Sequence, residues 1–246
     1  MKVRNRLLNF GNSVIYQDDE WFSFSLDSVI LSNFVSIRLT DKKILDMACG
    51  NAPIPMLLSF RTKASIYGID IQKGVIDLGI ESVNENKMDK QIHLITLDIK
   101  DVDKQFSAES FDIITCNPPY FKYNNNDNIN LNISKRIARH EVLIDLDTIV
   151  KKASFLLKNG GTLAMVHRPD RFIEIISIMK KYNITPKKLQ LCYPKENSNC
   201  NLVLIEGNKN GKDGLKILNP IIVHNVDGTY SDMIKKMFGD GSDVAE

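Results

Sequence analysis

The sequence predicts an α/β fold: a doubly wound, mostly parallel sheet that ends in an antiparallel hairpin. Short, nearly continuous apolar runs recur along the chain, as expected of strands buried on both faces of a sheet. Longer stretches of helical pattern alternate with them, and the last two runs are joined by a short polar link with no helix between. In a sheet of this kind, ligands bind outside the carboxyl ends of the strands.

Residues 1–40 form an N-terminal segment that opens basic (MKVRNR) and leads through FSFSLDSVILSNF into a helix from about Asp27, with Asp27 or Ser28 as its N-cap. The first strand is KKILDMAC (42–49), followed by a helix over 53–61, a strand over 64–71 and a helix over 73–87. Strands follow at 91–98 and 110–117. Residues 124–132 carry six Asn and few apolar side chains, so 122–134 reads as a mobile loop. A helix over about 145–158 is stopped by Asn159-Gly160-Gly161, a strand covers 161–167, and Pro169 opens a helix over 170–182. The strands KKLQLCYP (187–194) and NLVLIEGN (201–208) make the closing hairpin. There is no internal repeat and no linker, so residues 41–246 form one globular domain with 1–40 packed on it.

The 246 residues, 43% hydrophobic and 25% charged, exclude a disordered or collagen-like chain. No apolar run approaches the roughly 20 residues that span a bilayer, and the N-terminus lacks the apolar stretch of a signal peptide. A cytoplasmic protein with no membrane partner is expected. The net charge of +2 argues at first sight against a nucleic-acid partner. Its distribution is uneven, however: residues 1–123 hold 14 basic and 16 acidic side chains, and residues 124–246 hold 18 and 14. Four cysteines (49, 116, 192 and 200) and four scattered histidines show no ligand spacing, so no metal is expected.

The chemistry concentrates at strand ends. Asp46-Met-Ala48-Cys-Gly50-Asn-Ala52-Pro53 is a small-residue turn between a strand and a helix. It lacks the Gly-x-Gly-x-x-Gly of a dinucleotide site, and Pro53 has no N–H, so an uncharged or zwitterionic ligand fits better than a phosphate. Asp70, followed by Ile71, ends the second strand, where a carboxylate can accept from a ribose diol. Asp98 and Ile99 end the third, where an acid and a backbone N–H can bind an adenine edge. Any one of these acids could be merely a turn or cap residue; acids at three successive strand ends, beside such a turn, point to a ligand. Asn117-Pro118-Pro119-Tyr120 ends the fourth strand. Its prolines hold a rigid rim whose carbonyls accept, so Asn117 and Pro118 can take both hydrogens of a planar amino group. Tyr120 and Phe121 offer faces to a stacked ring.

On these residues the chain resembles the class I S-adenosylmethionine-dependent methyltransferases of the NPPY group. It is most similar to the bacterial tRNA (adenine-N(6))-methyltransferases that act on valine tRNA beside the anticodon, at position 37. The segments 22–34, 138–172 and 202–231 carry the similarity beyond the motifs. The resemblance implies a Rossmann-like methyltransferase fold with a seven-stranded sheet, S-adenosyl-L-methionine as cofactor and S-adenosyl-L-homocysteine as product. It implies Asp46, Ala48, Gly50, Asp70, Ile71, Asp98, Ile99 and Asn117 around the cofactor, with Asn117, Pro118 and Tyr120 at the reacting group. Motif I departs from the family's Gly-rich form at Ala48, Ala52 and Pro53.

The expected partner is tRNA, with no obligate protein partner. Pro119, Tyr120, Phe121 and Lys122 lie where a flipped base would stack, and Arg136, Arg139, Arg168 and Arg171 offer phosphate contacts. Arg4 and Arg6 add charge ahead of the fold. Competing readings use the same tetrapeptide: methyltransferases of DNA adenine, of ribosomal RNA guanine, or of a protein glutamine. A fourth reading is a non-catalytic RNA-binding module on the cofactor fold.

Overall fold

A computed structural model describes residues 1–18, 25–118 and 145–239. The expected loop over 122–134 lies outside the described residues.

The sheet grows from the apolar runs. Strand β3 (Lys43–Met47) is buried along almost its whole length, as are β6 (Phe111–Cys116) and most of β7 (Leu157–His167). With β4 (Ser65–Asp70), β5 (Ile92–Thr96), β8 (Ile184–Lys195) and β9 (Leu202–Lys209), they form a sheet in the order β8-β9-β7-β6-β3-β4-β5. The five strands β3 to β7 run parallel, and β9 inserts antiparallel between β7 and β8. The expected seven strands are all present. Two short strands, β10 (Lys216–Ile217) and β11 (Ile221–His224), extend the β8 edge in parallel and bring the sheet to nine.

Helices cover both faces. One core cluster, including Ile44, Ile66, Ile113 and Val166, packs under α1 (Leu26–Phe34), α2 (Pro53–Ser59) and α3 (Lys73–Glu85). The other, including Leu45, Met47, Ile114 and Leu163, packs under α5 (Leu146–Leu156) and α6 (Phe172–Lys181). A short α4 (Val102–Gln105) follows a 3₁₀ turn over Ile99–Asp101, and α7 (Asp232–Met237) closes the described chain. Alternation along a strand places Asp46 on the Ile44 face and Thr115 on the Ile113 face, which are the same face of the sheet.

Three local expectations change. The N-cap of α1 is Ser25, so Asp27 and Ser28 lie inside its first turn. Helix α5 ends at Leu156, and Asn159-Gly160-Gly161 lies inside β7. There Gly160 takes φ +74° at a bulge where Phe111 pairs with Leu157 but Ile113 with Thr162, so the turn-forming residues bend a strand rather than stop a helix. The N-terminal segment begins with a hairpin of β1 (Lys2–Arg6) and β2 (Val14–Asp18), which the sequence pattern did not predict. Its β1 strand is exposed throughout and shows no apolar alternation.

That hairpin is tied to α3. The Asn86 amide donates to Val14 O at 2.7 Å and accepts from Val14 N at 2.9 Å, and Ser82 Oγ accepts from Tyr16 N at 2.9 Å. Arg4 pairs with Glu85 at 2.7 Å and Lys2 with Glu81 at 2.5 Å. Arg4 is therefore engaged with the protein itself. Among the described residues, no helix is long and apolar enough to cross a membrane.

Candidate active site

The carboxyl ends of β3, β4 and β6 converge on one edge because these strands are adjacent and parallel. The turn after β3 takes a left-handed backbone at Ala48 (φ 57°), Gly50 (φ 56°) and Ala52 (φ 68°). Glycine adopts that conformation freely, whereas each alanine costs about 1–2 kcal/mol there. The turn thus keeps the shape of a Gly-rich loop with alanine at two of its three left-handed positions. Helix α2 starts with Pro53 and carries Pro55 two residues on. Neither residue has an N–H, so this helix start is poor in the donors a phosphate needs.

Asp70 locks the turn in place. Its Oδ2 accepts from Gly50 N at 3.0 Å and its Oδ1 from Gln72 N at 3.0 Å, so one carboxylate joins the loops after β3 and β4. Burial pushes its pKa up, against the pull of these backbone amides. The turn is also held from the N-terminal side, where Asn51 Nδ2 donates to Tyr16 O at 2.7 Å. Ile71 is 43% exposed next to Asp70. Asp98 caps the 3₁₀ turn by accepting from Lys100 N at 2.8 Å, and the Ile99 side chain is buried in the core.

Asp46 is strongly perturbed by its surroundings. It is fully buried; its Oδ1 accepts from Thr115 Oγ1 at 2.6 Å, while its Oδ2 is buried and has no hydrogen-bond partner among the described residues. Loss of solvent, with the nearby Asp70 charge as a smaller cause, pushes its pKa up to about 8 despite the Thr115 bond. An orphaned carboxylate oxygen in a dry site calls for a donor, and a cationic one satisfies it best. The same burial pushes the Cys49 and Cys116 thiols well up, which fits small apolar residues rather than nucleophiles.

One strand away, Asn117 follows β6 and the buried Pro118 follows it. The Asn117 Nδ2 donates to Ser28 Oγ of α1 at 3.4 Å, which turns its acceptor oxygen to the opposite side of the amide. Arg168 donates to Asn201 O at 3.3 Å, and Arg171 pairs with Glu174 at 2.5 Å. Pro119, Tyr120, Phe121, Lys122, Arg136 and Arg139 lie outside the described residues.

The structure thus gathers Asp46, Ala48, Gly50 and Asp70 around one turn and sets Asn117 and Pro118 on the adjoining strand. It also reveals three residues that sequence reasoning missed. Thr115 and Ser28 hold Asp46 and Asn117, and Asn51 anchors the turn. The available signal was a polar residue inside an otherwise apolar run, as at Thr115. Among the described residues, no group of three or more His, Cys, Asp or Glu is placed to hold a metal.

Comparison with known proteins places the chain among methyltransferases. Among the curated relatives, the tRNA1(Val) (adenine(37)-N6)-methyltransferase of Aliivibrio salmonicida is 25% identical over 86% of this chain and 87% of its own. The protein of the same name from Cytophaga hutchinsonii is 23% identical over 79% of this chain and 80% of its own. The crystal structure of a predicted O-methyltransferase from Agrobacterium tumefaciens superposes with a TM-score of 0.69 at 17% identity, covering 86% of this chain and 95% of that one. Geranyl diphosphate C-methyltransferase from Streptomyces coelicolor, solved with S-adenosyl-L-homocysteine, gives a TM-score of 0.56 at 12% identity, over 74% of this chain and 76% of that one. These two structures establish the likeness of fold. Residues 39–212, which carry the turn, the three strand-end acids and Asn117, match the model of the methyltransferase domain family, and the chain belongs to that family.

Proposed function

We propose that this chain transfers a methyl group from S-adenosyl-L-methionine to the N6 amino nitrogen of an adenine in tRNA, at position 37 of a valine tRNA. One juxtaposition carries the reading. A buried carboxylate oxygen on Asp46, next to last in β3, has no partner among the described residues, and Asn117 and Pro118 directly follow the neighbouring β6. The first asks for a cation in a dry site; the second presents acceptors for a planar amino group. The tRNA methyltransferases among its relatives supply the substrate class.

When bound, the cofactor supplies a methyl group activated on a sulfonium. Asp46 Oδ2 accepts from its ammonium. Asp70 has lone pairs beyond those used by Gly50 and Gln72 and takes the ribose hydroxyls. Ile71 offers an apolar face to the adenine ring, and Asp98 with the Ile99 N–H reads its edge. The single methyl of Ala48 and the absence of a side chain at Gly50 let the ligand lie close to the backbone. Asn117 Oδ1 and the Pro118 carbonyl accept the two hydrogens of the target amino group, which aims the nitrogen lone pair at the methyl donor. Such positioning can supply roughly 7–11 kcal/mol of the barrier, acceptor dipoles stabilise positive charge developing on nitrogen, and the methylated nitrogen then loses one of its protons to water.

Pro119, Tyr120, Phe121 and Lys122 then receive the flipped base, and Arg136, Arg139 and Arg168 meet phosphate; Arg171, expected to do the same, is instead paired with Glu174 and largely buried. Residues 41–246 act as the catalytic unit with 1–40 packed on it, and the site of action is the cytoplasm, where tRNA is modified. The test is incubation of the purified chain with labelled S-adenosyl-L-methionine and total tRNA, ribosomal RNA or DNA, followed by nucleoside analysis. The expected product is N6-methyladenosine in tRNA alone. Label in DNA adenine or ribosomal RNA guanine, with none in tRNA, overturns the reading.

A further inference from the structure

We infer that Thr115 is a positioning residue for the cofactor: its hydroxyl fixes the Asp46 carboxyl group through Oδ1, so that Oδ2 is presented to the cofactor's ammonium. The inference rests on the cofactor reading above and deepens it. Both side chains are fully buried, and they are direct register partners on β3 and β6, so their pairing is built into the sheet. Every other residue of β6 except Asp112, at the strand's far end, is apolar or a thiol. Valine would fill the Thr115 site with nearly the same shape and no buried hydroxyl. The hydroxyl instead donates to Asp46 Oδ1 at 2.6 Å, a distance typical of a bond to a charged acceptor.

The consequence is chemical. Asp46 stands in a dry site with Asp70 on β4, and the thiols of Cys49 and Cys116 lie beside it. Among the described residues, none of these neighbours is a cation that would favour the carboxylate. Thr115 is the group that does so, opposing burial and Asp70. It also holds Oδ1, which leaves Oδ2 as the oxygen whose hydrogen-bonding capacity is wholly unused among the described residues. Because the ammonium pairs with the ionised acid, affinity rises about tenfold per pH unit until Asp46 has titrated. Removing the hydroxyl moves that rise to higher pH.

The test is calorimetric titration with S-adenosyl-L-homocysteine from pH 6 to 9, beside 5′-methylthioadenosine, which lacks the amino-acid end. Thr115→Val is expected to weaken S-adenosyl-L-homocysteine about ten- to hundredfold at pH 7, the worth of one hydrogen bond to a charged group. The rising limb of its pH profile should move up by a unit or more, and 5′-methylthioadenosine affinity should stay constant. Thr115→Ser is expected to restore both affinity and profile, and Thr115→Ala should reproduce the displacement if the valine variant folds poorly. A wild-type profile in Thr115→Val, or equal weakening of both ligands, overturns the inference. Asp46→Asn separates the two levels of argument. If it too binds S-adenosyl-L-homocysteine like wild type, the cofactor reading of Asp46 fails; if it alone weakens binding, only the role of Thr115 fails.

Discussion

Replacing Asp46 by Asn should change how stability depends on pH before any ligand is added. In the unfolded chain an aspartate titrates near its ordinary value, so at pH 5 it is ionised; in the folded chain its pKa is about 8, so at pH 5 it is neutral. Between pH 5 and 7 the folded state therefore holds about one proton more than the unfolded state. Stability must fall as pH rises through this window, by about 1.4 kcal/mol per unit or ~2.7 kcal/mol in all. The asparagine side chain has nearly the same shape and keeps an acceptor for Thr115, but it cannot titrate. Any cost of its buried amide is independent of pH. Urea unfolding of both proteins at pH 5, 6 and 7 isolates the effect, because the other titrating groups are shared and largely cancel in the difference. The stability of wild type relative to Asp46→Asn should fall by ~2.7 kcal/mol across the series. Stability curves that stay parallel would refute both the burial argument and the demand for a cationic ligand built on it.

Four further outcomes follow from the fold and the proposed function. Asn117→Ala should bind S-adenosyl-L-homocysteine with unchanged affinity but lose about a hundredfold or more in methyl transfer to tRNA, measured by label incorporation. Asp70→Ala should weaken S-adenosyl-L-homocysteine by about ten- to hundredfold in calorimetry, since it loses both the ribose contact and the clamp on Gly50. Gly207→Ala would place a methyl group 2.8 Å from Thr185 O and 2.5 Å from Met179 Cε, so urea unfolding should show a loss of about 1–3 kcal/mol. Reversing the charge of Arg136 and Arg139 together should raise the Michaelis constant for tRNA at low salt and leave cofactor affinity intact.

Much of the fold was legible because its central strands are buried on both faces. Strands such as β3 and β6 must then be apolar almost throughout, and a short apolar run bounded by turn residues reads as a strand without any partner in view. The motif residues were legible for a related reason. In a parallel sheet every strand points its carboxyl end to the same edge, so Asp46, Asp70, Asp98 and Asn117 belong together once the strands are recognised. The hairpin β1–β2 was not legible. Its first strand is exposed and polar, and it stays in place through partners on α3, more than 60 residues away. The tripeptide Asn159-Gly160-Gly161 misled for the opposite reason, since the same residues that end helices also make bulges.

The sequence by itself determined the class of sheet, the edge where chemistry occurs and the residue types offered there, because periodicity and strand-end placement are local properties of a chain. Tertiary structure alone decided what those residues became. Sheet register set Thr115 opposite Asp46 and left one carboxylate oxygen without a donor. Helix α1 brought Ser28 to the Asn117 amide, and Glu85 and Glu174 took up the charges of Arg4 and Arg171. Each of these depends on which long-range partner removes water from a polar group, and no local pattern in a sequence records that choice.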